Sequence, residues 1–312
     1  MNDKHIVIGT RASELALWQA EFVKKLIKRQ YPQLTIDLKL ITTKGDQILD
    51  TALDKIPDKG LFTKELEVAL LDGSIDLAVH SLKDLQVNLP DGLILGAITE
   101  RYSPEDVIIS KEKKLSLRKL RRNAVIATGS TRRQAQIRYI RKDIQIEELR
   151  GNINTRINKY LNSNWDAIIL AKAGVERLGL EEYISAKLDV REMLPAVGQG
   201  ALAVEIREDN AFAKELLKKL NHQDTEIAVR AERAFLRRLG GGCKNPIAAL
   251  AKIKGPSILI DGLVATVDGK NYFRSTISGS KMEPEIVGKK LAESVYNMGA
   301  KKIMKEIKKI GG

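Results

Sequence analysis

Apolar and polar positions alternate with a period that changes repeatedly along the chain. Short apolar or alternating runs at residues 5–9, 35–43, 76–79, 93–99, 106–110, 124–128, 144–149, 167–170 and 202–206 predict strands. Amphipathic segments between them predict helices. One follows Ser13, with Leu15, Leu17, Trp18, Phe22, Leu26 and Ile27 toward a core; a second covers 62–71; others open at Arg132 and near Asn154. Repeated strand–helix alternation predicts parallel sheets with right-handed crossovers, here as two α/β lobes. The link at 100–105 has hinge character, and the Pro/Gly-rich stretch 193–201 suits a crossing back between lobes. Helices are predicted at 209–220 and 225–239. Alternating strands at 247–253, 257–267 and 272–278, then a helix at 283–298, predict an α+β end with an antiparallel sheet. The expected division is 1–100 with 199–220 as lobe 1, 101–198 as lobe 2, and 221–312 as a C-terminal α+β domain.

Residues 44–60 fit neither period. A stretch of that length between elements is functional or a surface loop, and it reads here as a lid, with Lys55 and Lys59 placed to meet an anion.

With 312 residues, the chain can bury more than one core. The formal net charge of +13 points to an anionic partner, whether nucleic acid, a membrane surface or a polyanionic small molecule. Aromatic content of 4% argues against a stacking platform for single-stranded nucleic acid. No apolar run approaches a membrane span. Met1-Asn2-Asp3-Lys4 leads into a strand without the pattern of a signal peptide, and a single cysteine suits a reducing compartment, so a cytoplasmic monomer is expected.

One motif recurs. A strand runs into a small-residue turn, then arginine, then a helix, at Arg11, at Arg132 and Arg133, and at Arg150. Lys83 and Lys172 also stand at strand ends, with Arg177 five residues after Lys172. A helix N-terminus with a guanidinium beside it is suited to anions. For the first of these taken alone, Ser13 as a plain helix cap with Arg11 solvated is the simpler reading. The recurrence gathers cations at sheet edges and predicts a ligand with several negative groups. At 80–84 the strand end offers His80, Ser81, Lys83 and Asp84. His80 reads as structural. Asp84 fits either an ion pair with Lys83 or a carboxylate held for proton transfer or cation stabilisation. The only cysteine, Cys243, follows Gly240-Gly241-Gly242 and precedes Lys244, with Arg237 and Arg238 nearby. Glycines stop the preceding helix sharply, and the cations favour thiolate, against the alternative of a small buried hydrophobe. No Walker A loop, G-x-G-x-x-G or His/Cys metal cluster is present in the sequence, so no metal is expected.

These residues stand in motifs that resemble porphobilinogen deaminases, also called hydroxymethylbilane synthases, over nearly the full chain. The motifs are Gly9-Thr-Arg-Ala-Ser13 with Leu15-Ala-Leu-Trp-Gln-Ala20, Lys59-Gly-Leu-Phe-Thr-Lys-Glu-Leu-Glu67 and Ala78-Val-His-Ser-Leu-Lys-Asp84. They continue as Ser130-Thr-Arg-Arg-Gln134, Leu149-Arg-Gly-Asn152, Leu194-Pro-Ala-Val-Gly-Gln-Gly200 and Gly241-Gly-Cys243. The resemblance implies two periplasmic-binding-protein-like α/β lobes and a third domain carrying the cysteine. It implies that Cys243 bears a dipyrromethane cofactor through a thioether. Four porphobilinogens are added in turn with loss of ammonia, and water releases a linear tetrapyrrole for heme biosynthesis. Each pyrrole carries an acetate and a propionate, so the growing chain is a polyanion that arginine forks would bind.

By the resemblance, Asp84 is the catalytic carboxylate, stabilising the cationic azafulvene left by ammonia and handling the pyrrole proton. Cys243, Lys83, Asp84, Ser130, Arg132, Arg133 and Arg150 hold the cofactor. Arg11, Ser13, Phe62, Arg132, Arg133, Arg150, Arg156, Arg177 and Gln199 bind substrate, under a lid with Lys55 and Lys59 that excludes water. Porphobilinogen and its oligopyrroles are the expected partners, with no nucleic acid, membrane or obligate protein partner. The chain departs from the usual family pattern at Glu14, Gln86, Gly129, Thr131, Lys244 and Asn245. Gly129 lacks a hydroxyl toward a substrate carboxylate; none of these positions removes a charged group from the mechanism. Two rivals remain at this stage. A two-lobe anion-binding protein without chemistry needs neither Cys243 nor Asp84, and a nucleic-acid binder needs a basic stripe on one face.

Overall fold

The computed structural model describes residues 5–47, 60–242 and 245–304. They form two compact units. The first holds the described residues of 5–47, 60–102 and 201–226, and the second those of 103–200, 227–242 and 245–304.

The first unit is a five-stranded sheet in the order β2-β1-β3-β10-β4. Its strands are β1 (His5–Thr10), β2 (Thr35–Leu40), β3 (Leu77–Ser81), β4 (Leu93–Ile98) and β10 (Leu202–Arg207). β1 is parallel to β2 and to β3, while β10 is antiparallel to β3 and to β4. One face is covered by α1 (Glu14–Gln30) and α7 (Ala211–Leu217), around Ile6, Ile8, Val23, Ile27, Val79 and Val204. α3 (Lys64–Leu71) supplies Leu66 and Leu70 to a second core around Ile75 and Ala78.

The second unit repeats the plan in the order β7-β6-β8-β5-β9. The strands are β5 (Asp106–Ile109), β6 (Val125–Ala127), β7 (Gln145–Glu147), β8 (Ala167–Ala171) and β9 (Ile184–Lys187). β6 is parallel to β7 and β8, and β5 alone runs against its neighbours. The helices are α4 (Thr131–Ile140), α5 (Ile153–Leu161) and α6 (Lys172–Arg177). The same unit carries an antiparallel sheet, β11 (Ile247–Lys254), β12 (Ser257–Ala265) and β13 (Tyr272–Ser280), packed with α8 (Gln223–Leu239) and α9 (Pro284–Val295). A Cβ on Gly288 would lie 2.1 Å from the Ala231 carbonyl oxygen, so glycine permits α9 to approach α8 backbone to backbone.

The mixed α/β architecture with an antiparallel C-terminal sheet agrees with the expected fold class. Four details differ. The sheets are mixed rather than parallel, because the fourth strand of each comes from a distant part of the chain and runs backwards. α1 buries Ala16, Gln19, Ala20, Val23 and Ile27. Trp18 lies outside that face at 37% exposure, stacked on Phe22 at 5.2 Å. Two alanines there let the helix lie close to the sheet, a face that large apolar residues alone do not reveal. β3 extends to Ser81, so His80 belongs to the strand. β9, an edge strand with a weak Ile-Ser-Ala-Lys pattern, carried no sequence signal. The proposed lid begins with one helical turn, α2 (Lys44–Gln47), and its Lys55 and Lys59 lie outside the described residues.

Candidate active site

In the first unit, register sets the candidate edge. Gly9 pairs with Ala78 in parallel strands, so Thr10 and Arg11 leave β1 at the same sheet edge as Ser81 to Asp84 leave β3. Buried Thr10 donates its hydroxyl to the Ala16 carbonyl at 3.0 Å, which folds the turn back onto α1. Ser13 is the N-cap of α1, its Oγ accepting from the Ala16 N–H at 3.4 Å, as the simpler reading had it for the serine; Arg11, which that reading left solvated, is paired instead. Arg11 donates from Nε to both oxygens of Asp46, at 3.2 and 3.1 Å, and from Nη2 to Oδ1. Its guanidinium carbon lies 4.4 Å from the centre of the Phe62 ring. Burial pushes the Asp46 carboxyl up, but hydrogen bonds from Arg11 and Thr43 outweigh it and hold its pKa below the ordinary value.

At the β3 end, Gln19 Nε2 donates to Ser81 Oγ at 2.8 Å, tying α1 to the strand. A 3-10 turn, Leu82–Asp84, follows with Leu82 buried as its anchor, Lys83 half-buried and Asp84 exposed. His80 faces inward. Its Nε2 lies 3.0 Å from Glu205 Oε2 without the alignment of a hydrogen bond, and both residues are buried.

In the second unit, β6, β7 and β8 run parallel. Thr128 to Ser130, Glu148 to Arg150, and Lys172 therefore emerge at one edge. Ser130 caps α4, accepting from the Arg133 N–H at 3.5 Å. Arg132 and Arg133 open that helix, but their forks turn inward. Both donate Nη2 to Asp106, each at 2.8 Å. Their Nη1 atoms donate to the Leu194 and Ile169 carbonyls, each at 2.8 Å. Burial raises the Asp106 carboxyl, but the two guanidiniums outweigh it and hold it far below the usual carboxylate range. Gln199, 1% exposed, donates to the Pro104 carbonyl at 2.6 Å and to Asp106 Oδ1 at 3.0 Å. Arg177 Nη2 donates to the Gly200 carbonyl at 3.0 Å, and Arg156 Nε to the Gly151 carbonyl at 2.7 Å. Two guanidinium atoms are buried with no hydrogen-bond partner among the described residues: Arg133 Nε and Arg150 Nη1.

Comparison with known proteins identifies the class. Residues 6–215 match the family model for "Porphobilinogen deaminase, dipyromethane cofactor binding domain", and residues 226–297 match "Porphobilinogen deaminase, C-terminal domain". The chain belongs to the porphobilinogen deaminase family. The porphobilinogen deaminase of Syntrophomonas wolfei subsp. wolfei is 49% identical over 306 residues, 98% of this chain and 100% of that protein. That of Moorella thermoacetica is 47% identical over 307 residues, 98% of each. That of Carboxydothermus hydrogenoformans is 49% identical over 306 residues, 98% of each. Among solved structures, the periplasmic aliphatic sulphonate binding protein SsuA of Escherichia coli is similar with a TM-score of 0.39 and 16% identity, over 76% of this chain and 70% of that one.

The family's cofactor-binding domain spans both candidate edges. The donors present fit a carboxylate-bearing dipyrromethane, because its carboxylates would supply acceptors to buried guanidinium N–H groups that have none among the described residues. Cys243 lies outside the described residues, but the turn before it is defined. Gly240 has φ of 66°, and the N–H groups of Gly240 and Gly241 close the end of α8 on the Arg237 and Leu236 carbonyls. A Cβ on Gly241 would meet Ile247 Cδ1 at 2.3 Å. Gly242 N–H donates to Asn245 Oδ1 at 2.7 Å. At Gly129, a Cβ would meet Glu148 Oε1 at 2.6 Å and the Leu149 carbonyl oxygen at 2.9 Å, so the glycine follows from how closely β6 and β7 end.

Asp46 and Asp106 were missed from sequence. Asp46 stands in a segment without periodicity. Asp106 opens a strand, where an acid reads as a surface residue. Its position just after a proline-bearing hinge was the only available signal.

Proposed function

We propose that this chain is a porphobilinogen deaminase. It condenses four porphobilinogens onto a dipyrromethane tethered to Cys243, with loss of ammonia, and releases hydroxymethylbilane by hydrolysis. The observation that carries the reading is the match of residues 6–215 and 226–297 to the two family models, with the chain's only cysteine at the glycine turn within the second. The dipyrromethane supplies the pyrrole carbon at which the chain grows.

The protein's own groups have separable tasks in this reading. Arg133 Nε and Arg150 Nη1 meet carboxylates of the cofactor, with Ser130 and Lys83 beside them in role. Asp106 holds Arg132 and Arg133, so Arg132 serves mainly to orient Arg133 and to place the Leu194 backbone. Gln199 acts with them through Asp106. Arg11, steadied by Asp46 and Phe62, binds a substrate carboxylate, and Arg156 and Arg177 serve later rings. Ser13 contributes by capping α1, which fixes Arg11. Lys55 and Lys59 act from the lid. Asp84, exposed on its short turn, is the carboxylate that stabilises the cation left by ammonia and takes the pyrrole proton. The three-part division at 1–100 with 199–220, 101–198 and 221–312 belongs to the same proposal. So does a cytoplasmic monomer acting on porphobilinogen without nucleic acid, membrane or protein partner. Among the described residues no helix is long and apolar enough to cross a membrane.

Intact mass of the purified protein tests the reading, with Cys243→Ala beside it. An excess equal to two linked pyrrole units, absent from Cys243→Ala, is the expected result. An unmodified wild-type mass after supply of porphobilinogen would leave an anion-binding protein whose thiol does no chemistry.

A further inference from the structure

Arg11 is not an open fork. It is already bound side-on, through Nε and Nη2, by the carboxylate of Asp46, while the Phe62 ring covers one of its faces. Asp46 is itself fixed. The Thr43 hydroxyl donates to its Oδ2 at 2.8 Å, and the Thr43 N–H donates to the same oxygen at 3.2 Å. Gly45 N–H donates to the Leu61 carbonyl at 2.8 Å, which docks the turn bearing Asp46 against the residue before Phe62. Side-on pairing leaves the guanidinium's end-on edge, Nη1 with the second Nη2 hydrogen, without a hydrogen bond among the described residues. A carboxylate bound there would stand next to a second carboxylate.

We infer that Asp46 is a positioning residue that sets how tightly Arg11 grips each pyrrole carboxylate. The inference rests on reading Arg11 as a substrate-binding group. Asp46 aims the end-on edge outward and offsets most of the guanidinium charge. An Arg–carboxylate fork at full strength is among the strongest polar contacts a protein makes. An enzyme that adds several rings in turn at one site must let each ring go before the next arrives, and a resident anion keeps the grip weak enough for exchange. Two ends are met by one side chain: orientation, which speeds binding, and neutralisation, which speeds release.

The test compares Asp46→Asn, Asp46→Glu and Arg11→Lys as cofactor-loaded enzymes. It reads KM and kcat for porphobilinogen and, by intact mass, the distribution of enzyme-bound adducts. Asparagine keeps the shape and an acceptor oxygen for Arg11 but removes the charge. Asp46→Asn is expected to lower KM about five- to tenfold, the scale of losing one like charge beside the bound carboxylate. It is also expected to lower kcat and pile up adducts during turnover, while Asp46→Glu restores both parameters toward wild type. KM unchanged or raised in Asp46→Asn overturns the inference, and if Arg11→Lys still raises KM, the reading of Arg11 survives alone. An Arg11→Lys enzyme with wild-type KM and adducts removes Arg11 from substrate binding and the role of Asp46 with it.

Discussion

Asp106 Oδ1 accepts from Arg133 Nη2 at 2.8 Å, with both residues buried, and Oδ2 does the same for Arg132. The sequence places two arginines at the head of a helix, as if both faced a ligand. One strand-opening acid uses a fork of each and leaves Arg133 Nε a buried donor without a hydrogen-bond partner among the described residues. Asp106→Asn would strand two cations in the interior. It is expected to cost about 3–5 kcal/mol of unfolding free energy by urea titration, the range for breaking a buried pair. The pH dependence gives a second readout. Because the folded pKa of Asp106 is depressed, its stabilisation is present above the unfolded value of about 3.9 and is lost as pH falls below it. The stability curve of Asp106→Asn should therefore lack that acid-side fall.

Asp84 is exposed on a three-residue turn anchored by buried Leu82. Replacing an exposed carboxylate by an amide leaves the fold intact, so Asp84→Asn should be folded and should carry the tethered cofactor. Turnover of porphobilinogen is expected to drop by about 10²–10⁴, the contribution of a positioned acid or base. Near-normal turnover in a steady-state assay would take Asp84 out of the chemistry.

What could be read from sequence divides by distance along the chain. The strand–turn–arginine pattern at Arg11, Arg132 and Arg150 was legible because a strand end, a cap and a helix start are local. So was the glycine stop at Gly240, whose positive φ the helix end requires. Strands β5 and β10 were legible as strands, but their reversal was not, because direction depends on partners far away in sequence. The buried face of α1 was legible at Ile27, with Phe22 and Leu26 packed beside the core, but Trp18 was misplaced and Ala16 and Ala20 were missed, because alanine gives almost no periodic signal. Asp46 and Asp106 were missed for a related reason: an acid declares itself structural only when its arginine is known to be beside it.

Gly45 sits where a methyl group would lie 2.3 Å from the Phe62 ring and 2.7 Å from the Leu61 carbonyl oxygen. Gly45→Ala must therefore displace the Phe62 ring that lies over Arg11. The expected result is a KM for porphobilinogen raised about tenfold, consistent with misplacing a positioning group by a fraction of an ångström to an ångström. The cofactor mass should be unchanged, since its tether is elsewhere in the chain. Unaltered kinetics would show that Phe62 contributes nothing through Arg11.

Glu67 carries the last prediction. It is buried on α3, where burial pushes its carboxyl up; the Thr63 hydroxyl opposes that, the charges of Glu205 and Glu65 add to it, and His80 opposes it. A carboxyl whose folded pKa is raised keeps its proton in the folded protein while the unfolded chain ionises. Stability from this group is thus intact below the unfolded pKa of about 4.3 and declines as pH rises through the folded value. Glutamine cannot ionise, so Glu67→Gln should match the wild type near pH 4 and exceed it at pH 8, read from urea midpoints across that range. If glutamine were instead destabilising at pH 8, the reading of Glu67 as a buried carboxyl held above its ordinary pKa would be wrong.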